Sequence, residues 1–271
     1  MILGVISALF FNQPANTPSG LLSNIIAILL LMTANFLDSA DGQLARMTNQ
    51  KTQLGRILDG SAGDIWFIAI YISLSLRLLH QPIPLIGIEW GAWAFILAAI
   101  SGLLCHARQC ALADYYRTIH LFFLSGKPYT QFDTYAQQKA IFQATKWKDQ
   151  PVWKFFLMFY VNYTKGQESQ TPHFQHLFHL LSQNPQHPGP EHVEGQNPQN
   201  PAIQKFLQGS RPLMKWTNIL TFNTRAIVLY ISCLIDRPWI YWIFEITIMT
   251  IIFLHMRHRH EKLCKTITSN L

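Results

Sequence analysis

Three aspartates lie at the junction between two apolar segments of the chain. Asp38 and Asp41 come at the end of the first segment, and Asp59 comes at the start of the second. If the first segment is helical through residue 46, Asp38 and Asp41 share one face of that helix because they are three positions apart. Gly55 and Asp59 are four positions apart and share a face of the next helix. Two antiparallel helix ends can therefore direct three carboxylates into one space.

Carboxylates that converge near hydrocarbon need a compensating charge, since unpaired they repel each other and take up protons. Oxygen ligands suit a hard divalent cation such as Mg²⁺ or Mn²⁺, and two ions about 3.5–4 Å apart can clamp a phosphate during in-line displacement. Gly42, Ala45 and Gly55 are small enough to let a phosphate approach the backbone. Arg46 can donate two parallel hydrogen bonds to phosphate oxygens. The junction therefore predicts a two-metal site that handles phosphate.

The segments around this junction are long enough to cross a membrane. The chain has 271 residues, of which 49% are hydrophobic and 13% are charged, a charged fraction that is low for a soluble protein. Residues 1–11 are apolar but extend only about 16 Å as a helix, which fits either a remnant of a sixth span or a short re-entrant or interfacial piece. We therefore expect an all-α, polytopic membrane helix bundle with five full transmembrane helices plus a short or truncated N-terminal one. The five full spans are residues 21–37, 57–79, 90–105 (continuing as a helix towards Phe123), 218–235 and 239–256.

Lysine and arginine are concentrated in three parts of the chain. Residues 46–56 hold three, residues 126–217 hold nine, and the tail after Met256 holds four. The positive-inside rule therefore predicts that the junction, the long loop and the C-terminus face the cytoplasm. The net charge of +7 is explained by this topology and by anionic lipid headgroups, and we expect no nucleic-acid partner.

A polar insertion divides the chain into three predicted segments. Residues 1–124 carry the membrane helices with the aspartates, residues 125–216 form a cytoplasmic insertion, and residues 217–271 form two more membrane helices and a basic tail. Residues 184–201 contain five prolines in eighteen positions, which predicts a flexible loop. The aromatic residues 152–163 are too few to cross a bilayer, and they fit an interfacial helix or the core helix of a small subdomain equally well.

The junction resembles the signature of the CDP-alcohol phosphatidyltransferase family, DxxDGxxAR followed after eight residues by GxxxDxxxD. The resemblance implies a reaction in which an acceptor hydroxyl attacks the β-phosphorus of a CDP-linked lipid or alcohol and CMP leaves. It also implies that the three aspartates bind two divalent ions, while the other four matching positions line the CDP pocket. Homodimers are common in the family, although the sequence itself defines no oligomeric state. The matching positions are Asp38, Asp41, Gly42, Ala45, Arg46, Gly55 and Asp59.

The fourth aspartate of the signature is missing from its usual position. The family places a metal contact and the general base four residues after Asp59, where this chain has Gly63, and Asp64 follows. On a regular helix Asp64 lies about 140° from Asp59, compared with about 40° for position 63. Three explanations are open. A one-residue bulge rotates Asp64 into the site as the catalytic base, another group acts as the base, or the protein is a catalytically silent scaffold that binds CDP-linked lipid.

Other charged residues lie in or beside the later spans. Arg108 and Arg117 are suited to bind phosphate or to extend towards lipid headgroups. Arg225 is suited to recognise an acidic acceptor or to form a structural ion pair, and Glu245 is expected to pair within the bundle. A cation transporter would place several acidic residues near mid-membrane in broken helices. Glu245 is the only acidic residue so placed, and the sequence therefore favours an enzyme or a scaffold over a transporter.

Overall fold

The computed structural model is helical and describes residues 1–48, 53–84, 86–125, 132–182 and 200–271. The side chains of residues 45, 46, 53, 54 and 56–62 lie outside this description, as do residues 184–199 of the predicted flexible loop. No β-strand occurs in the described ranges, which confirms the all-α prediction. Two π-helical segments, π1 (Ile100–His106) and π2 (Glu245–Met249), interrupt the α-helices. The α-helices are α1 (Ile2–Phe11), α2 (Pro18–Met47), α3 (Gln53–Leu78), α4 (Ala92–Ala99), α5 (Ala107–Ser125), α6 (Tyr135–Ala144), α7 (Pro151–Ser169), α8 (Pro172–Ser182), α9 (Pro201–Ser210), α10 (Met214–Ile219), α11 (Phe222–Leu234), α12 (Trp239–Phe244) and α13 (Thr250–Thr268).

The described chain forms two compact units. Unit 1 consists of Met1–Ala107 and Phe222–Ile248, and unit 2 consists of Arg108–Thr221 and Met249–Leu271. The boundaries of the three segments expected from the sequence are set by changes between apolar and polar composition. The boundaries of these two units are set by which residues pack together. The segments remain a prediction about which parts lie in the membrane and which lie in water.

Helix α2 carries the first half of the signature on one continuous helix. Pro18 stands at its first position, where a missing backbone N–H is tolerated, and the Gly20 amide donates to Thr17 Oγ1 at 3.1 Å, as in an N-terminal cap. The helix continues to Met47. The predicted helical continuation from the apolar span through residue 46 is therefore confirmed.

The short N-terminal helix α1 belongs to the core of unit 1. It packs against α2 and α3, and its Phe11 side chain is fully buried. Gly4 lies against the ring of Trp66 on α3. The apolar residues 1–11 thus form a packed helix that covers part of α2 and α3.

Arg77 fixes one end of this bundle. Its guanidinium donates to the Phe11 carbonyl at 3.0 Å, to Asn24 Oδ1 at 2.9 Å and to the Cys233 carbonyl at 3.0 Å. It also forms a salt bridge of 2.6 Å with Asp236. Because these groups come from α1, α2, α11 and the turn after α11, one buried cation holds together elements that are distant in sequence.

Three helices in the described residues are long and apolar enough to cross a membrane: Pro18–Leu44, Ala92–Ser125 and Trp239–Thr268. The predicted count of five full spans is not confirmed. The predicted span 218–235 is interrupted between α10 and α11, and the 13 residues of α11 extend only about 20 Å, less than a hydrocarbon core of about 30 Å. Helix α3 has 26 residues, but its first turns are rich in polar residues.

Unit 2 contains the whole described part of the insertion, which is mainly helical. Helix α13 packs against α8 and α9, and α7 packs against α6 and α8. The His173 amide donates to Glu261 Oε2 at 2.8 Å, and Arg257 Nε donates to the Gln170 carbonyl at 2.9 Å. The described residues of the insertion therefore include a packed helical subdomain.

Candidate active site

The first two aspartates of the signature lie one turn apart near the end of α2. Asp41 is exposed, whereas Asp38 and Gly42 are half-buried. On an α-helix, positions three apart face the same side, so both carboxylates belong to one face of α2. The side chains of Ala45 and Arg46 lie outside the described residues.

The second half of the signature lies at the start of α3. Gly55 is exposed and α-helical, and Asp59 is also on this helix, but its side chain lies outside the description. Among the side chains that the structure describes, a set that excludes Asp59, there is no group of three or more His, Cys, Asp or Glu residues that could hold a metal ion. The convergence of the three aspartates on a metal remains a prediction.

Helix α3 is a regular α-helix from Gln53 to Leu78. The one-residue bulge predicted between Asp59 and Asp64 is therefore absent from the described backbone of this helix, because its α-helical hydrogen bonding continues through Gly60 and Gly63. A Cβ atom at Gly63 would meet no other atom within 4 Å, so the position is open. Asp64 is exposed, and its role as the base remains a prediction.

A buried polar cluster surrounds Glu245 in unit 1. The Glu245 side chain is fully buried. Ser101 Oγ donates to its Oε2 at 2.6 Å, the Tyr241 hydroxyl donates to its Oε1 at 2.8 Å, and His106 Nδ1 lies 2.9 Å from Oε1. Five side chains contact this carboxylate: Tyr71, Ser101, His106, Arg225 and Tyr241.

The ion pair in this cluster settles two expectations from the sequence. Arg225 Nη1 contacts Glu245 Oε1, and neither side chain has exposed surface. The prediction that Glu245 pairs within the bundle is confirmed, and Arg225 takes the second of its two predicted roles, the structural ion pair. A carboxylate and a guanidinium buried together compensate each other's loss of hydration.

The partners of Glu245 were not predicted from the sequence, and Tyr71 and Ser101 are two of them. Both are polar residues within otherwise apolar segments, and such residues usually face a bundle interior. This pattern could have predicted that both side chains face the interior of the bundle. It does not indicate which residue they contact there.

The π-helical segment π1 explains how Ser101 and His106 reach the same carboxylate. On a regular α-helix two residues five positions apart differ by about 140° in direction. A π-helix pairs residues five apart, so they lie on one face. The second π-segment, π2, begins at Glu245 itself. Both π-helical segments of the described chain thus contribute to this cluster.

Asp64 lies close enough to the buried cluster to interact electrostatically with His106. The ring of Phe67, one turn further along α3, lies 4.2 Å from the imidazole of His106. His106 Nδ1 lies 2.9 Å from Glu245 Oε1, so the cluster fixes the position of this imidazole. The exposed carboxylate and the buried one are therefore linked through one histidine.

Arg108 at the start of α5 and Arg117 in its middle belong to unit 2. Arg108 is exposed, and Arg117 donates to Asn218 Oδ1 at 3.0 Å. The exposure of Arg108 and the contact of Arg117 are compatible both with phosphate binding and with a headgroup contact. Both expectations for these residues stay predictions.

A family model for CDP-alcohol phosphatidyltransferases matches residues 2–160. The chain belongs to this family. The match includes the aspartate junction, Asp64 and His106, whereas Arg225 and Glu245 lie beyond it. No curated protein and no solved structure matches the chain. Together with the three long apolar helices, membership of the CDP-alcohol phosphatidyltransferase family indicates an integral membrane protein of phospholipid biosynthesis.

Proposed function

We propose that this family member is a membrane phosphotransferase that moves a phosphatidyl or similar phosphoalcohol group from a CDP-linked donor to a hydroxyl acceptor. The acceptor oxygen forms a bond to the β-phosphorus, the bond from that phosphorus to the bridging oxygen breaks, and CMP leaves. The observation that carries this proposal is the signature from Asp38 to Asp59, which lies at the end of α2 and the start of α3, inside the region that matches the family.

In this proposal Asp38, Asp41 and Asp59 bind two Mg²⁺ or Mn²⁺ ions. The donor set fits a hard cation because it consists of carboxylates, and Asp38 and Asp41 lie one turn apart on α2 with Asp41 exposed. When bound, the ions would neutralise charge on the diphosphate. Gly42, Ala45 and Gly55 leave space for the CDP group, and Arg46 donates to its phosphate oxygens.

Asp64 is the residue to which we assign the acceptor's proton. Three features support this role: it is exposed, it follows the signature on the same helix, and it interacts with a histidine fixed by Glu245. A base needs to be close to the hydroxyl and held in place. The regular geometry of α3 means that Asp64 approaches the acceptor from a different direction than an aspartate at position 63 would.

The proposed topology has five full spans, with α3 and the segment containing α11 crossing in addition to the three long helices. The junction, the insertion and the C-terminus then face the cytoplasm, where the positive charge is concentrated. A CDP-linked lipid donor would enter the site from the bilayer.

The test is release of CMP from CDP-diacylglycerol by the purified protein with Mg²⁺, measured against a panel of polyols, phosphorylated polyols and serine. We expect release with at least one acceptor and its loss in Asp38→Asn and Asp41→Asn. Chelation of divalent ions with EDTA should stop release, and added Mg²⁺ should restore it. Release that is unaffected by both substitutions would contradict the proposal.

A second candidate is a silent scaffold that binds CDP-linked lipid, and the glycine at position 63 favours it. Binding of CDP-diacylglycerol that depends on Asp38, without release of CMP for any acceptor, would support the scaffold over the enzyme. The same preparation therefore distinguishes the two functions.

A further inference from the structure

Helix α7 of unit 2 has one packed face and one bare face. Leu157, Thr164 and Gln167 are buried, where α7 packs against α6 and α8. The opposite side carries large apolar side chains that are exposed. The packed face makes α7 part of the subdomain core, while the exposed face is accessible to a partner or a membrane.

The bare face is a continuous stripe. Val152, Phe155, Phe159 and Tyr163 follow each other at intervals of three or four residues, so they line up along one side of the helix. Each is between 37% and 68% exposed. Trp147 is half exposed and lies just before the helix begins. A contiguous exposed row of this kind marks a surface for a partner or a membrane. We call these five residues the α7 stripe.

The charged residues around the α7 stripe indicate which kind of partner the stripe binds. Between Thr145 and Gly166 the chain has four lysines and one aspartate. Lys146, Lys148 and Lys165 are exposed, whereas Lys154 donates to the Thr145 carbonyl at 2.6 Å. Aromatic residues with lysines at their edges are typical of helices that lie in the headgroup region of an anionic bilayer.

The contacts of α7 with α5 place it at the depth expected for a helix in the headgroup region of a bilayer. Gln167 Nε2 donates to the Ala111 carbonyl at 2.8 Å, and the Tyr163 hydroxyl donates to Asp114 Oδ2 at 3.4 Å. Ala111 lies between Arg108 and Asp114, where charged residues follow the apolar part of the candidate span Ala92–Ser125. Such a transition occurs where a span leaves the hydrocarbon. The end of α7 is therefore attached at the depth of the headgroups.

We propose that α7 lies in the plane of the membrane, with the α7 stripe inserted at the boundary between the headgroups and acyl chains of an anionic bilayer. The lysines contact the lipid phosphates from the helix edges. The insertion is then held at the bilayer surface along α7. This property does not depend on the chemistry at the aspartate junction, so it can be tested in protein that is catalytically inactive.

The experiment places a nitroxide spin label on a single accessible cysteine of the full chain. Cys105 and Cys110 are half-buried and are replaced by alanine, while Cys233 and Cys264 are buried and unreactive in the folded protein. The label is attached in Phe159→Cys, on the stripe, and in Lys165→Cys, an exposed control on the same helix but off the stripe. Both proteins are reconstituted in vesicles of phosphatidylcholine with phosphatidylglycerol, and collisions with oxygen and with a water-soluble nickel chelate are measured.

We expect the ratio of oxygen to nickel accessibility to be several-fold higher at position 159 than at position 165. The difference should decrease when phosphatidylglycerol is omitted and when Lys146 and Lys148 are both changed to glutamine. Phe155→Cys gives a second label on the stripe if labelling at position 159 perturbs the fold, and size-exclusion chromatography checks that each variant is monodisperse.

Two results would overturn the proposal. Equal access of the nickel chelate to positions 159 and 165 would mean that the stripe faces water. Low access of both reagents to position 159, together with dipolar broadening between labels, would mean that a second copy of the chain covers the stripe.

Discussion

Gly63 and Asp64 decide how far the family chemistry applies to this chain. The family position of the fourth aspartate is occupied by a glycine with open space beside it. The neighbouring carboxylate is exposed and interacts with His106. The two positions point about 100° apart on an α-helix, so one residue of displacement changes the direction from which a base can approach.

Replacing Asp64 by Asn should lower turnover by about 100-fold or more, since loss of a positioned general base has effects of about 10²–10⁴-fold. Binding of CDP-diacylglycerol should be retained, because the aspartates assigned to the metal are unchanged. The measurement is the rate of CMP release at saturating donor and acceptor, with binding measured separately.

Two variants at position 63 complete this test. Gly63→Ala should keep turnover, since an added Cβ meets no atom. The double variant Gly63→Asp with Asp64→Asn moves the carboxylate to the family position. Recovery of turnover in the double variant would show that a carboxylate on the face of Asp59 can also act as the base, whereas unchanged turnover in Asp64→Asn alone would contradict the assignment to Asp64.

Glu245 should matter for stability because its charge is buried with that of Arg225. In Glu245→Gln the guanidinium keeps a polar neighbour but loses the carboxylate, and breaking a buried ion pair in this way costs about 3–5 kcal/mol. We expect a clearly lower unfolding temperature in detergent, followed by circular dichroism.

The matched control is Glu89→Gln in the turn before α4. Glu89 and its partner His80 are largely exposed and 3.4 Å apart, and exposed pairs contribute little. We expect no measurable change in this variant. Equal unfolding temperatures for the two glutamine variants would mean that the buried pair does not stabilise the bundle.

At the scale of elements, the packing of α1 on α3 depends on a close approach at Gly4. A Cβ at this position would lie 2.4 Å from the ring of Trp66, and that ring is buried and has little room to move. Gly4→Ala should therefore push α1 away and destabilise the protein, by about 1–3 kcal/mol for overpacking of this kind. Thermal unfolding measures the effect.

Gly166→Ala on α7 is the control for this prediction, since an added Cβ there meets no atom within 4 Å. Alanine also favours a helix over glycine, so the control should be neutral or slightly stabilised. If both alanine variants unfold at the same temperature, α1 does not pack against Trp66 in the protein.

The elements were predictable from the sequence where a periodic pattern extended over many residues. The helix through Asp38 and Asp41, the short apolar N-terminal segment and the long spans all follow from such patterns. The interruption between α10 and α11 was not predictable, because Leu220 and Thr221 carry no proline or glycine signal. The π-helical segments were also not predictable, since they depend on the contacts of Ser101, His106 and Glu245 with each other.

The candidate site was predictable only in its residue types and spacing. Seven positions of the signature define which side chains could act, and the helices that carry them agree with the structure. The direction of Asp64 was not predictable, because it depends on whether α3 is regular over a single turn. The partners of Glu245 depend on which spans are neighbours, and one sequence contains no such information.

For the whole molecule, the number of spans can be tested by the positions of two epitope tags. One tag is inserted between Ile86 and Gly87, in the turn where the Ile83 amide donates to the Ile88 carbonyl at 2.7 Å and Gly87 has a positive φ of 79°. The other follows Leu271. With five spans, three crossings separate the tags, so we expect them on opposite sides, with the turn outside.

The measurement is antibody binding to intact and to permeabilised cells. If the segment containing α11 does not cross, two crossings separate the tags and both lie on the same side. That result would replace the five-span topology by one in which α11 is a buried half-span. A tag-free protein with the same expression level is the control for antibody background.

The buried pair of Arg225 and Glu245 also constrains how the protein is made. In the proposed five-span topology, each charge alone would oppose entry of its helix into the bilayer from the translocon, by up to about 2.5–3.5 kcal/mol for a charge at the helix centre. The two residues are only 20 positions apart, and α11 contacts α12. In that topology the last two helical segments have to leave the ribosome before either is committed to lipid, and we expect them to integrate as one helical hairpin.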